Sequence, residues 1–255
     1  SVEGINFKAM KGQTIGVIGG TGSGKSSLVN LIPRLYDATQ GEVLVDGVNV
    51  KDYDIEALRN KVGIVMQKAV LFKGTIRENM WMGKKGATDE QIDEALEISQ
   101  SKEFVDSKQG RLDYVIEQGG KNLSGGQRQR LTIARAIVRK PDVLILDDSA
   151  SALDFATDAA LRKAIRGMNN SPTVFIVSQR AASLMYADLI IVLDDGQVAG
   201  MGTHDELLAN CEVYKEIYES QFKKADSEDR QYAISVYGSY YFHCWECFPP
   251  CSGIE

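Results

Sequence analysis

The first 210 residues of this 255-residue chain contain no cysteine; the four present are Cys211, Cys244, Cys247 and Cys251. A fold built from that stretch has no disulfide framework, and the distribution fits a reducing compartment. Long apolar runs are missing too. Val143 to Leu146, Val174 to Val177 and Leu189 to Leu193 are of strand length, whereas a bilayer span needs about 18 or more apolar residues, so the chain by itself is expected to be soluble. Nor is there an excess of basic charge. With 29 Lys and Arg against 35 Asp and Glu, the net charge is −6 and the pI near 5.2, which argues against a broad electrostatic grip on nucleic acid or an anionic membrane. The opening residues, SVEGINFKAMKGQ, lack a basic start followed by an apolar stretch. They are expected to be no signal peptide but the N-terminally truncated start of a domain.

What is present is a globular composition, 44% apolar and 25% charged with 24 glycines, on a chain long enough for one large domain or two modest lobes. Short β-rich runs alternate with helix-period segments, the pattern of a mainly parallel sheet with crossover helices. The strands are expected at TIGVIG (14–19), EVLVDG (42–47), VGIVMQ (62–67), DVLILD (142–147), TVFIVS (173–178) and DLIIVLDDG (188–196). Helices are expected after Gly24, over TDEQIDEALEIS (88–99), from Ser124 towards Arg139, from Asp154 to Met168 and from Cys211 to Lys224. Between the strands at 62–67 and 142–147 no strong strand signal occurs, which predicts an inserted helical lobe over about 70–140. The principal domain is thus placed at 1–224. Residues 225–255 begin with a charged stretch, ADSEDRQ, and pass into YAISVYGSYYFHCWECFPPCSGIE. His243, Cys244, Cys247 and Cys251 have a spacing that could ligate zinc, but a structural site ordinarily comes as two separated knuckles in a folded frame. The segment reads as a disordered, out-of-frame or artificial tail.

Three motifs carry chemistry. GGTGSGKSS (19–27) follows a strand and opens a helix, and it matches GxxxxGK[ST] completely. Gly20, Gly22 and Gly24 let backbone amides converge on one point, Lys25 reaches the outer phosphates of a nucleotide, and the Ser26 hydroxyl ligates Mg²⁺. Gly19, Thr21, Ser23 and Ser27 complete the loop. The second motif is LILDDSASALD (144–154), in which Asp147 ends an apolar strand as the acid that would hold Mg²⁺ and Asp148 stands where an attacking water would be oriented or deprotonated. These two alone leave kinases, GTPases and motor ATPases open. The third is NLSGGQRQRLTIARA (122–136): Ser124 is a helix N-cap, and Gly125 and Gly126 expose amides to a second anion. One nucleotide already saturates the first loop, so a second copy of the domain is expected to bring the other. Arg128, Arg130, Arg135 and Arg139 follow on the same helix and are expected to form a solvated, charge-balanced face and not a nucleic-acid surface.

With these residues in place, the sequence resembles the ATP-binding cassette family, specifically the nucleotide-binding domain of ABC exporters, over residues 1 to about 224. LSGGQ (123–127) matches the family signature, Gln67 its Q-loop and SALD (151–154) its D-loop, while LFKGTIRENM (71–80) looks like the stretch that meets transmembrane coupling helices. The resemblance implies a P-loop NTPase fold of the α/β class, with a mainly parallel sheet core, an antiparallel β part and an inserted helical subdomain. It implies ATP and Mg²⁺ as ligands, Gln67 beside Ser26 and Asp147 at the metal, and Ser124, Gly125, Gly126 and Gln127 on a partner's nucleotide. It also implies transmembrane domains outside this chain, a place on the cytoplasmic face of a membrane, and no nucleic acid.

Departures from the family matter as much. Active family members carry glutamate where Asp148 stands and histidine where Gln179 stands. Asp148 is one methylene short, a retreat of about 1.5 Å from the water that positioned catalysis punishes, and Gln179 cannot act as a protonated partner to the terminal phosphate. The pair resembles the degenerate-site subunit of a heterodimeric exporter: its own site holds ATP and hydrolyses it slowly, while its signature completes the partner's site. Gln118 stands where exporters often show an acid. An adenine-stacking aromatic is expected upstream of Ser1, for which Val2 and Phe7 are poor substitutes. Two other readings remain: a soluble ABC protein acting on DNA repair or ribosomes, and a nucleotide-sensing module without hydrolysis.

Overall fold

Apolar residues at every position of a strand demand cover on both faces of the sheet, and the arrangement found supplies it. The computed structural model describes residues 2–149 and 152–221. In chain order the elements are β1 (Thr14–Gly19), α1 (Lys25–Asn30), β2 (Leu44–Val45), β3 (Val48–Asn49), α2 (Ile55–Lys61), β4 (Val62–Val65), β5 (Gly74–Thr75), α3 (Ile76–Gly83), α4 (Asp89–Ile98), α5 (Lys102–Asp106), β6 (Val115–Ile116), α6 (Gly125–Ile137), β7 (Val143–Asp147), α7 (Phe155–Arg166), β8 (Thr173–Val177), β9 (Leu189–Asp194), β10 (Gln197–Gly202) and α8 (His204–Asn210). A further helix, α9, occupies 212–221.

Among the described residues the main sheet runs β10-β9-β1-β8-β7-β4. All its neighbours are parallel except β9 and β10. The two-residue period of a strand divides the side chains between two cores. Ile18, Leu144, Leu146, Val174, Ile176, Ile190 and Val192 face one side, with α3, α4, α6 and α7 over them. Ile15, Val17, Ile145, Phe175, Val177, Ile191 and Leu193 face the other, against Leu28, Val29 and Leu58 from α1 and α2. Full burial of each such side chain is worth about 1.5–3 kcal/mol, so a polar replacement at Ile145 or Ile191 would strike both the packing and the strand pairing.

The P-loop NTPase architecture foreseen in the sequence is therefore present, with corrections in detail. EVLVDG is not one strand: the chain reverses at Asp46 and Gly47, whose φ values of 52° and 77° suit a tight hairpin, and β2 pairs β3 antiparallel. The final β-run ends at Asp194. Asp195 and Gly196 turn it at φ 44° and 82°, and the antiparallel β10 follows. The stretch between β4 and β7 holds four α-helices, α3 to α6, together with the short β5-β6 pair. The expected helix from Cys211 to Lys224 is described over 212–221. Its last three residues, Ala150 and Ser151 before the D-loop's remainder, and the tail with His243, Cys244, Cys247 and Cys251 lie outside the described residues.

Candidate functional site

In a parallel sheet every strand ends at the same edge, so the loops after β1, β4, β7 and β8 meet there. The loop after β1 is residues 19–27. Gly19 has φ 157°, and a Cβ there would lie 2.1 Å from the Leu193 carbonyl oxygen, so β9 passes too close for any other residue. Gly24 caps α1 at φ 93°, and its missing Cβ would lie 2.3 Å from Val2 Cγ1. Thr21, Ser26 and Ser27 are exposed, while Ser23 and Lys25 are buried. The Lys25 ammonium donates to the carbonyl oxygens of Gly19 at 2.9 Å and Gly20 at 2.6 Å.

Asp147 ends β7 with 5% of its surface exposed. Burial pushes its carboxyl above the ordinary range and the Asp148 charge adds to this, while a hydrogen bond from Ser26 and the Lys25 charge oppose it. Burial likewise lowers Lys25 against the pull of Asp147 and Asp148. Asp148 is half-buried, held by its own N–H to the Val177 carbonyl at 2.9 Å. Its φ of 46° lies in the left-handed region, which aspartate tolerates better than most residues. Gln67, two residues past the end of β4, donates from Nε2 to Asp148 Oδ2 at 3.2 Å. Gln179 is exposed two residues past β8, the strand that lies between β1 and β7. Lys25, Ser26, Gln67, Asp147 and Asp148 thus form one contact group, with Gln179 beside it.

The signature residues form a second group. Ser124 caps the 13-residue α6: its Oγ accepts from Gln127 N at 3.2 Å, and Gln127 Oε1 accepts from Ser124 N at 3.1 Å. Gly126 faces the D-loop segment, where a Cβ would stand 3.3 Å from the Ala152 carbonyl oxygen. No hydrogen bond among the described residues joins this group to the first.

Arg128, Arg130 and Arg135 of α6, with Arg139 two residues past its end, do not form the solvated face expected of them. Arg128 donates to Leu123 O at 2.6 Å, Arg130 to Gln100 O at 2.7 Å, Arg135 to Val70 O at 2.9 Å and Arg139 to Arg59 O at 2.7 Å. Arg130 and Arg135 also lie over the rings of Phe104 and Phe72. Each guanidinium fastens a different segment to the helix or to the residues just past its end, and burial lowers the pKa of Arg135 and Arg139. Sequence reasoning missed these tethers because the acceptors are backbone carbonyls, which leave no residue-type signal. Asn79 was missed as well; fully buried, it pins the loop before α3 through Phe72 N, Phe72 O and Thr75 O. Its place four residues after the Thr75 N-cap could have drawn attention to it.

The model of one family, described as ABC transporter, matches residues 2–151. The chain belongs to the ABC transporter family. It is 45% identical over 224 residues to the uncharacterised ABC transporter ATP-binding protein YfiB of Bacillus subtilis, covering 88% of this chain and 39% of that protein. It is 40% identical over 217 residues to a Staphylococcus aureus protein whose name gives it provisionally as a multidrug export ATP-binding/permease protein, covering 85% and 38%. The structure of a bacterial Atm1-family ABC exporter with ATP bound superposes with a TM-score of 0.82 at 32% identity, over 86% of this chain and 39% of that one. This ABC transporter chain therefore spans about two fifths of the length of the relatives it matches. The family hydrolyses ATP. Among the described residues no helix is long and apolar enough to cross a membrane.

A nucleotide polyphosphate and its Mg²⁺ fit the residues at this edge. Ser23 Oγ is buried with no partner among the described residues. A Cβ added at Gly20 or Gly22 meets nothing within 4 Å, which leaves room for an anion against the loop. The Lys25 ammonium rests on loop carbonyls within reach of the same space, and Ser26 with Asp147 offers the hard oxygen donors that Mg²⁺ takes.

Proposed function

We propose that this chain is the ATP-binding portion of an ABC exporter, in which ATP binding and hydrolysis drive small molecules, drugs or lipids among them, across a membrane from its cytoplasmic face. Residues 1–224 carry this activity, with the lobe at about 70–140 as the part that meets transmembrane domains outside the chain. The names of the Staphylococcus aureus relative and the Atm1-family exporter support export as the task. The exposed Val70, Phe72, Trp81 and Met82 support the lobe as the docking face.

The observation that carries the site reading is the joining of Lys25, Ser26, Asp147, Asp148 and Gln67 at one sheet edge. The amides of residues 19–27 and the Lys25 ammonium bind the phosphates, and Ser26, Asp147 and Gln67 hold Mg²⁺. That ion supplies neutralisation of the charge that develops on the transferred phosphoryl group. Asp148 orients the water, and Gln179 faces the terminal phosphate. Both are weaker than the residues usual in the family. Asp148 is moreover engaged by Gln67, whose amide bond holds the carboxylate away from a free, mobile pose.

The site is accordingly a slow one. The α6 start, with Ser124, Gly125, Gly126 and Gln127, completes the nucleotide site of a second, different ATP-binding domain, whose own acid and histidine perform the faster hydrolysis. Titration of the isolated chain with Mg-ATP is expected to give one binding site and very slow turnover. Steady hydrolysis near ordinary enzyme rates, about 1 to 10 per second, would refute the slow-site reading. Copurification of the full-length protein with a non-identical ATP-binding partner tests the pairing.

A further inference from the structure

The loop after β8 is held by a residue far along the chain. Gln221, on α9, donates from Nε2 to the Gln179 carbonyl at 2.7 Å, and its Oε1 accepts from Ala181 N at 2.9 Å. One primary amide thus closes on both backbone groups that flank Arg180. Arg180 N itself turns inward to Ser178 Oγ at 2.9 Å, and Ala181 is fully buried. The partner end is equally fixed. Tyr214 of α9 is fully buried in the larger core, with Val213, Ile217 and Tyr218 packed against it, and its hydroxyl meets His204 Nδ1 at 2.8 Å. Gln221 therefore projects from an anchored helix onto the exposed turn at Gln179 and Arg180, just before the chain enters the core at Ala181.

The position of that loop makes the clamp consequential. β8 lies between β1 and β7. Ser178 N bonds to Val17 O of β1 at 3.1 Å, and Asp148 N bonds to Val177 O of β8 at 2.9 Å. The residues that follow Ser178 consequently emerge between the phosphate loop and the Asp147–Asp148 pair. We infer that Gln221 is a positioning residue: by bonding both Gln179 and Ala181 it sets where Gln179 stands against the terminal phosphate, so that α9 governs discrimination between a nucleoside triphosphate and a diphosphate. This rests on the reading of Gln179 given above. A diphosphate ends short of Gln179, so the clamp acts on the triphosphate alone.

The experiment uses the whole chain with ATP and ADP, each with Mg²⁺, and amide-resolved hydrogen exchange at Ala181. Gln221→Met keeps side-chain length and removes both bonds. It is expected to speed exchange at Ala181 by about tenfold or more and to weaken ATP about fivefold, with ADP affinity held within about twofold. Gln221→Glu keeps an acceptor for Ala181 N–H but loses the donor to Gln179, so protection at Ala181 returns while the ATP preference stays low. Unchanged exchange in Gln221→Met, equal weakening of ATP and ADP, or recovery of the ATP preference in Gln221→Glu each overturns the assignment. Gln179→Ala separates the layers. If it removes the ATP preference and Gln221→Met does not, Gln221 is no positioning residue although Gln179 keeps its role; if it leaves the preference intact, the role of Gln179 falls and this inference with it.

Discussion

The two regions proposed to bind phosphate, the sheet edge and the start of α6, are built on opposite electrostatic plans. At the sheet edge, Lys25 and Asp147 are charges buried to 9% and 5% exposure, each shifted by desolvation and each steadied by the other. At the start of α6 no acid stands in the first turn, Ser124 is exposed, and the side chains of Ser124 and Gln127 satisfy each other's backbone amides. The first amides of any helix lack intrahelical acceptors, so what α6 offers is the remaining N–H groups of Gly125 and Gly126 in a fixed shape. On the proposed reading the edge works by paired charge and must be tuned, whereas the helix start works by geometry and must be kept clear.

The largest expected effect falls on the helix start. Replacing Ser124 by the bulky Arg should lower hydrolysis in the reconstituted pair of domains by about 100- to 1000-fold, the loss seen when preorganised donors to a developing charge are removed. Nucleotide binding at the chain's own loop should stay intact, and ATPase rates with bound-nucleotide counts read both. Lys25→Ala is the mirror experiment: it should weaken Mg-ATP binding at this chain by about 100-fold and leave the partner's hydrolysis reduced but measurable. If Ser124→Arg is harmless and Lys25→Ala abolishes hydrolysis, the working and slow sites are interchanged.

A smaller gain is expected from Asp148→Glu combined with Gln179→His. Together they should raise hydrolysis at this chain's site about tenfold or more, and by more than the product of the single changes, because both groups serve one transition state. Independent small effects, measured as single-turnover rates with Mg-ATP, would separate the two residues. The smallest effect concerns charge at the edge. Asp147 is raised in the folded chain, so the folded state holds that proton more tightly than the unfolded one. The stability this proton contributes is fully present below the unfolded pKa of about 3.9 and is lost as pH rises through the raised folded value. Without nucleotide, Asp147→Asn should therefore melt a few degrees above the parent at pH 7, with the gap closing towards pH 4, as thermal scans across that range would show.

The strands at the sheet edge were legible because each carries an unbroken apolar run, a pattern that burial on both faces imposes. The phosphate loop was legible because Gly19 and Gly24 meet backbone and side-chain limits that allow little else. β10 was not, since QVAGMG alternates with glycine on an exposed edge and lacks such a run. α2 and α8 were also missed, although Asp54 and Thr203 cap them and Glu206 completes a capping box at the second; both helices have seven residues, too few for a helical period to declare itself. Arg130, Arg135 and Arg139 were misread because their partners are carbonyls on segments 30 to 80 residues away, at Gln100, Val70 and Arg59. Gln221 was invisible for the same reason, its two bonds reaching 40 and 42 residues back to main-chain atoms.

The outward-facing start of α6 also has a kinetic meaning. On the proposed reading, each working site is divided between two polypeptides, and this chain's share of the second site has no hydrogen bond to its own phosphate loop among the described residues. Specific activity in dilute mixtures of the separated domains should then rise with protein concentration, second order at first and levelling once the pairs are formed. Anchoring in a shared membrane protein would replace that encounter with a fixed local concentration, and the same chemistry would become independent of how much protein the cell makes.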